Sequence, residues 1–134
     1  MANTTFTGPV RSENGFEDVT KNATTGAFTT NATYNATITG GVQSLSGAGA
    51  VDLTNLVTEL TTTGANALTL ADGSTSGQVK IVNMIVDGGD GTLTPVTFAN
   101  GTTITFDAVA ESVTLVWNST IGWVATSVQG ATIA

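Results

Sequence analysis

Between Thr102 and Ser127 apolar and hydroxyl-bearing side chains take turns along the chain. That period of two suits a strand with one face in a core and the other in water. Ile104 and Phe106 alternate with Thr103 and Thr105, and Val113, Leu115 and Trp117 alternate with Ser112, Thr114 and Val116. Asn118 to Gly122 reads as a turn. Beyond it Trp123 to Val128 runs back antiparallel, which sets Trp117 opposite Trp123 on one face. Two adjacent indoles are the largest apolar block the chain has, and the rest of it is expected to be arranged around them.

A length of 134 residues suffices for one domain with its own core. Threonine makes up roughly a fifth of the sequence and only 10% of residues are charged, usage that favours strands over helices. Water is therefore met by hydroxyls and amides, which are cheaper to desolvate than ions and suit a protein packed against neighbours. The chain has no Cys and no His, so disulfides, thiolate and imidazole chemistry and the usual Zn, Cu or Fe sites are excluded. The formal net charge is −7, and Arg11, Lys21 and Lys80 are the only cations. Such a chain cannot neutralise a run of phosphates, so neither direct nucleic-acid binding nor an anionic membrane surface is expected. No apolar run is long enough to span a membrane. Met1-Ala-Asn-Thr-Thr-Phe6 lacks the basic start and apolar stretch of a secretory signal. Without one, the sequons at Asn3, Asn22, Asn31, Asn35, Asn100 and Asn118 read as a by-product of Asn and Thr richness.

Residues 1–33 differ in pattern from the rest of the chain. Phe6, Val10, Phe16, Val19 and Phe28 are separated by irregular gaps that fit neither period, and Arg11 lies among them. Isolated large side chains cannot build a core, so an extended arm is expected whose anchors bury against something else. The body, residues 34–134, begins with an alternating strand from Tyr34 to Ile38. Val51 to Leu60 fits two patterns: Leu53, Leu56, Val57 and Leu60 have helical spacing behind Asp52 as a cap, whereas Thr54, Thr58 and Thr61 to Thr63 favour extended structure. A strand is the expectation. Ala65 to Leu70 is another, and Val79 to Val86 is apolar enough to be a central strand covered on both faces. Pro95 cannot donate to a ladder, so Thr92 to Phe98 is expected at an edge or broken there. Asn100-Gly101 signals a tight hairpin. The fold class is then all-β: an antiparallel β-sandwich or barrel behind an extended N-terminal arm. Its expected core comprises Val79, Ile81, Ile85, Ile104, Phe106, Val113, Leu115, Trp117 and Trp123.

Chemistry is sparsely represented. Asp87-Gly-Gly-Asp-Gly91 offers oxygens to a hard cation but lacks the ligand order of known calcium loops, and it is expected to be a glycine turn. Asp87, Asp90, Asp107 and Glu111 fall at turns and strand ends, where acids are ordinary, so no carboxylate pair for glycoside hydrolysis is expected. Gly47-Ala-Gly49 has no following Lys and is no phosphate loop. Neither an enzyme nor a cofactor is expected. Trp117 and Trp123 would make a sugar-stacking platform if exposed, but aromatics on alternating strands belong more often to a core.

Three groups of residues carry a resemblance: Thr4-Thr-Phe-Thr-Gly-Pro-Val-Arg-Ser-Glu-Asn-Gly-Phe16; Thr62-Thr-Gly-Ala-Asn-Ala-Leu-Thr-Leu-Ala-Asp-Gly73 with Gly77 to Lys80; and Gly91 to Pro95 with the Trp117 to Trp123 hairpin. In these the chain resembles virion structural proteins of tailed phages, most closely head decoration (cement) proteins of T7-like phages of marine cyanobacteria. Ala110 departs from the pattern, since such sequences tend to carry Gly before the acidic residue. The resemblance implies a β-rich homotrimer on the outer surface of the capsid, made in the host cytoplasm. Its partners would be the major capsid protein and itself, and Phe6, Val10, Arg11, Phe16, Val19 and Phe28 would be the capsid-contacting arm residues. Similar middle and C-terminal pieces occur in phage fibres, so the other expectation is a fibre or spike domain that binds host-surface glycans.

Overall fold

The computed structural model describes residues 16–34 and 41–134, which fall in two compact units divided between Thr37 and Ile38. The first unit holds an antiparallel hairpin of β1 (Phe16–Lys21) and β2 (Phe28–Tyr34), with a register shift between Asp18 and Val19. Its turn is built by Asn22, whose Oδ1 accepts the Thr24 and Thr25 amides at 2.9 and 3.0 Å. The described part of the expected arm is therefore paired. Backbone pairing asks for no side-chain period, and that is why scattered apolar residues concealed it. Tyr34, expected to open the body, ends β2; the remainder of that strand lies outside the described residues.

The second unit is all-β, with no helix among its described residues. Its strands are β3 (Val42–Ser46), β4 (Gly49–Val51), β5 (Val57–Thr61), β6 (Asn66–Leu70), β7 (Val79–Val86), β8 (Gly91–Pro95), β9 (Ile104–Phe106), β10 (Ser112–Asn118), β11 (Gly122–Gln129) and β12 (Thr132–Ile133). They form two five-stranded sheets, ordered β11-β10-β7-β5-β3 and β12-β9-β8-β6-β4. From β3 to β8 the chain alternates between the sheets. Strands β3, β5 and β7 thus stack parallel in the first sheet, and β4, β6 and β8 do so in the second. Only the later strands add antiparallel, β10 and β11 to one sheet, β9 and β12 to the other.

The expected all-antiparallel sandwich is therefore mixed. Glycine-rich segments that read as hairpin turns are corners that carry the chain to the opposite sheet. At Gly88 an added Cβ would fall 2.4 Å from the Thr62 carbonyl oxygen, and at Gly89 (φ 137°) 2.7 Å from Gly64, so successive corners stack backbone on backbone. Thr62 ties two of them together, its Oγ1 accepting the Gly88 amide at 2.9 Å.

The sheets enclose one core. Leu60, Val82, Met84, Val113, Leu115 and Trp123 come from the first sheet, Leu68, Leu70, Leu93, Ile104 and Phe106 from the second. Each full burial contributes about 1.5–3 kcal/mol before ordering costs. Trp117 faces Trp123 across β10 and β11 with ring centroids 5.4 Å apart at 60°, an edge-to-face pair. Trp123 Nε1 donates to the Ala71 carbonyl at 2.9 Å.

Four local expectations change. β7 is central, but one of its faces is open: Lys80, Val82 and Met84 point inward, whereas Val79 and Ile85 are exposed and Ile81 is half-buried. Val79, Ile81 and Ile85 are thus not core, because alternation sends them outward and nothing in the body covers that side. β8 is an interior strand; it ends at Pro95, past the Gly91–Leu93 stretch that pairs with β9, so the missing N–H disturbs no ladder. Asn100-Gly101 makes no tight hairpin. The 96–103 loop instead runs beside β11, with Ala99 N–H bonded to the Trp123 carbonyl, Trp123 N–H to that of Thr97, and Asn100 Oδ1 accepting the Ala125 amide. In Val51 to Leu60 both signals are used in turn: Asp52 Oδ1 accepts the Thr54 and Asn55 amides as a helix cap would, and β5 then takes the threonine-rich part.

Candidate functional site

Lys80 is the one body cation, and it points inward. With a 1% exposed side chain it donates from Nζ to the Asn55 carbonyl at 2.8 Å and lies 3.5 Å from Asp52 Oδ1. Burial pushes the ammonium below its ordinary value, more than the nearby Asp52 charge raises it. Burial alone would raise the Asp52 carboxyl. Hydrogen bonds from the Asn55 backbone and side chain, joined by Lys80, outweigh this and hold it below the usual value. Gln43 completes the knot, its Oε1 accepting from the Asp52 amide and the Thr58 hydroxyl while its Nε2 donates to the Ala50 carbonyl. The ammonium is buried and engaged, so the pair offers no open nucleophile.

Asp87, Asp90, Asp107 and Glu111 all lie on the opposite side, in the corners 87–90 and 107–111. Asp87 Oδ1 accepts the Gly89 amide, and Glu111 Oε2 accepts the Asp107 amide at 2.7 Å. These are turn-forming roles. Among the described residues no three acidic side chains gather as metal ligands would. Trp117 and Trp123 are 7% and 0% exposed, so neither indole presents a face to a sugar.

What remains is surface. Outward residues of the second sheet are small and hydroxylic: Thr69 pairs with Thr94, and Thr92 with Thr105, which in turn pairs with Thr132. Those of the first sheet differ. Val42 pairs with Val57 and Val57 with Ile81, and beside them Val79 pairs with Val116 and Val116 with Val124. Val42 is 50% and Val79 39% exposed, an apolar band across all five strands. The next row is polar, Ser44, Glu59, Asn83, Ser112 and Gln129 in cross-strand order. Asn83 Oδ1 is buried there with no hydrogen-bond partner. Periodicity does not single out this face, because the apolar run of β7, broken only by Lys80 and Asn83, fits a strand covered on both sides as well as one covered on a single side.

Of the expected arm residues, Phe6, Val10 and Arg11 lie outside the described residues, Phe16 and Val19 are in β1, and Phe28 opens β2. No family model and no curated protein matches the chain.

Proposed function

We propose that this chain is a structural component of a tailed-phage virion, a head decoration protein. In this reading it assembles as a homotrimer on the outer surface of the capsid and binds major capsid subunits, holding neighbours together. The observation that carries the reading is the division of the chain into a small N-terminal unit and a self-sufficient β body. The resemblance to decoration proteins is most specific in the first of these. A two-stranded hairpin is marginal alone in water, so such a unit gains stability from whatever surface covers it. Three of them per trimer turn weak contacts into lasting ones through effective concentration. Anything that binds the assembled shell in preference to its free subunits stabilises the shell. The acid residues serve turns and the body's cation is buried, which fits a scaffold better than a catalyst. The fibre reading keeps its sequence support but loses its stacking platform, since both indoles are core.

Mixing the purified protein with undecorated heads tests the proposal. The full chain is expected to cosediment with heads, and a chain lacking residues 1–37 is expected to stay in the supernatant with its far-UV circular dichroism retained. Failure of the full chain to pellet, or equal pelleting by the truncated one, would overturn it.

A further inference from the structure

We infer that Lys80 and Asn55 are placed to join covalently, the Lys80 amine displacing the nitrogen of the Asn55 side-chain amide while Asp52 carries the protons, so that an isopeptide bond results. No outside substrate reaches this amine, but the amide of Asn55 is already beside it. The first observation is the position of the carboxylate. Asp52 Oδ2 accepts from Asn55 Nδ2 at 2.7 Å and Asp52 Oδ1 lies 3.5 Å from Lys80 Nζ, so amine and amide are held side by side, one on each oxygen. The second is that Nζ is pinned to the residue that carries the amide, 2.8 Å from the Asn55 main-chain oxygen. The third is confinement. The Lys80 side chain is 1% exposed, and Asn55 Oδ1 rests where Gly41 leaves room, since a Cβ there would collide with it. Gln43 holds the Asp52 amide, and Asp52 Oδ1 in turn holds the amides of Thr54 and Asn55, so the groups are fixed before they react.

Roles follow from the environment. Burial favours the neutral, nucleophilic amine, and Asp52 is the one charged group that acts on it. Asp52 is held ionised, which makes it a poor electrophile and a ready proton carrier; the neutral amide of Asn55 is the target. The Nζ lone pair forms a bond to Asn55 Cγ, and the Cγ–Nδ2 bond breaks with its electron pair on nitrogen. Of the three ammonium protons one stays on the new amide, and the other two pass through the Asp52 carboxylate to the leaving nitrogen, which departs as an ammonium ion. Nothing is oxidised or reduced. The bond closes a ring of chain from Asn55, ahead of β5, to Lys80 in β7, and β6 of the other sheet lies within that ring. A chain with no cysteine thereby gains a covalent staple that limits the freedom of its unfolded state.

Near neutral pH the ammonium keeps its proton, so the unlinked pair persists there and the bond is expected to form over days in alkali. The test is incubation of the folded full chain at about pH 6 and about pH 9, the second nearer the ordinary lysine range. The mass is expected to fall by one ammonia, at least ~10-fold faster at the higher pH. Lys80 is the only tryptic site beyond Lys21, so the denatured unlinked chain yields 22–80 and 81–134, whereas the linked chain keeps 22–134 whole. Asn55→Ala should keep its mass, and Asp52→Asn should react roughly 100-fold more slowly. Ring closure at Asn100-Gly101 also loses ammonia but leaves Lys80 cleavable, and ammonia loss of that kind alone would overturn the inference. So would a folded parent that keeps its mass and its tryptic site through the alkaline incubation, a result that needs no variant to fold.

Discussion

Ala110 is the one non-glycine with positive φ among the described residues, at 72°. Its turn is closely held: the Ala110 amide donates to the Met84 carbonyl at 2.9 Å, and the Glu111 amide to that of Ala108 at 3.3 Å. Met84 N–H in turn donates to the Glu111 carbonyl, so the turn is anchored on the central strand and cannot relax its angle cheaply. A left-handed backbone costs an L-residue roughly 1–2 kcal/mol. Glycine removes that strain but returns about 0.4–1 kcal/mol as extra freedom of the unfolded chain. Ala110→Gly should therefore stabilise the body by about 0.5–1 kcal/mol, a rise in Tm of roughly 2–8 °C for a domain of this size. Ala110→Val, β-branched at the same angle, should lose more than the glycine variant gains. Ala108→Gly, two residues away at ordinary φ, should be neutral or lose up to about 1 kcal/mol. Thermal and urea denaturation of the four proteins measure this. An Ala110→Gly protein no more stable than its parent would refute the strain argument, because the Ala108 control removes any general effect of glycine.

Stability should depend on pH through the Asp52 and Lys80 pair. Asp52 is lowered in the folded state, so its contribution is complete above about pH 4 and is lost as pH falls through the folded value; Asp52→Asn should flatten that part of a urea-midpoint profile. Lys80 is also lowered, so the unfolded chain holds more protons just below pH 10.5 and stability should rise with pH in that window; Lys80→Met should abolish the rise. Trp123→Ala should cost about 3–5 kcal/mol by denaturant midpoint and remove the near-ultraviolet signal of the indole pair.

Much of the body was legible because alternation survives wherever one face is buried. β9 and β10 follow it residue by residue, whereas β11 loses it at the register shift opposite Thr114 and Leu115, and the opposition of Trp117 and Trp123 came from turn length alone. What alternation cannot report is which sheet receives the next strand. Gly64 and Gly89 look like hairpin glycines in sequence, and only the backbone packed against each explains why they turn corners. Pro95 was legible as a ladder break but not as the end of an interior strand. The open face of β7 was hidden for a different reason: Val79, Ile81 and Ile85 have the chemistry of core residues, and an apolar run does not say whether one face of a strand is covered or two. Lys80 shows the converse, a charge that lies inside the body with its ammonium on the Asn55 carbonyl.

The stacked corners make the two sides of the coil unequal. Along 47–48, 62–65 and 87–90 each bend rests on the next, so a single inserted residue would push its neighbours apart. Partners across the first sheet are 15 positions apart from Val42 to Val57 but 24 from Val57 to Ile81; the surplus is shared between the corner side, where 62–65 and a longer β6 follow 47–48 and β4, and the far side, where 71–78 follows 52–56. The stacked bends are in effect a spine and the far side a fringe of uneven loops, where a grafted peptide should be accommodated at positions away from Gly73, which lies against the Trp117 ring.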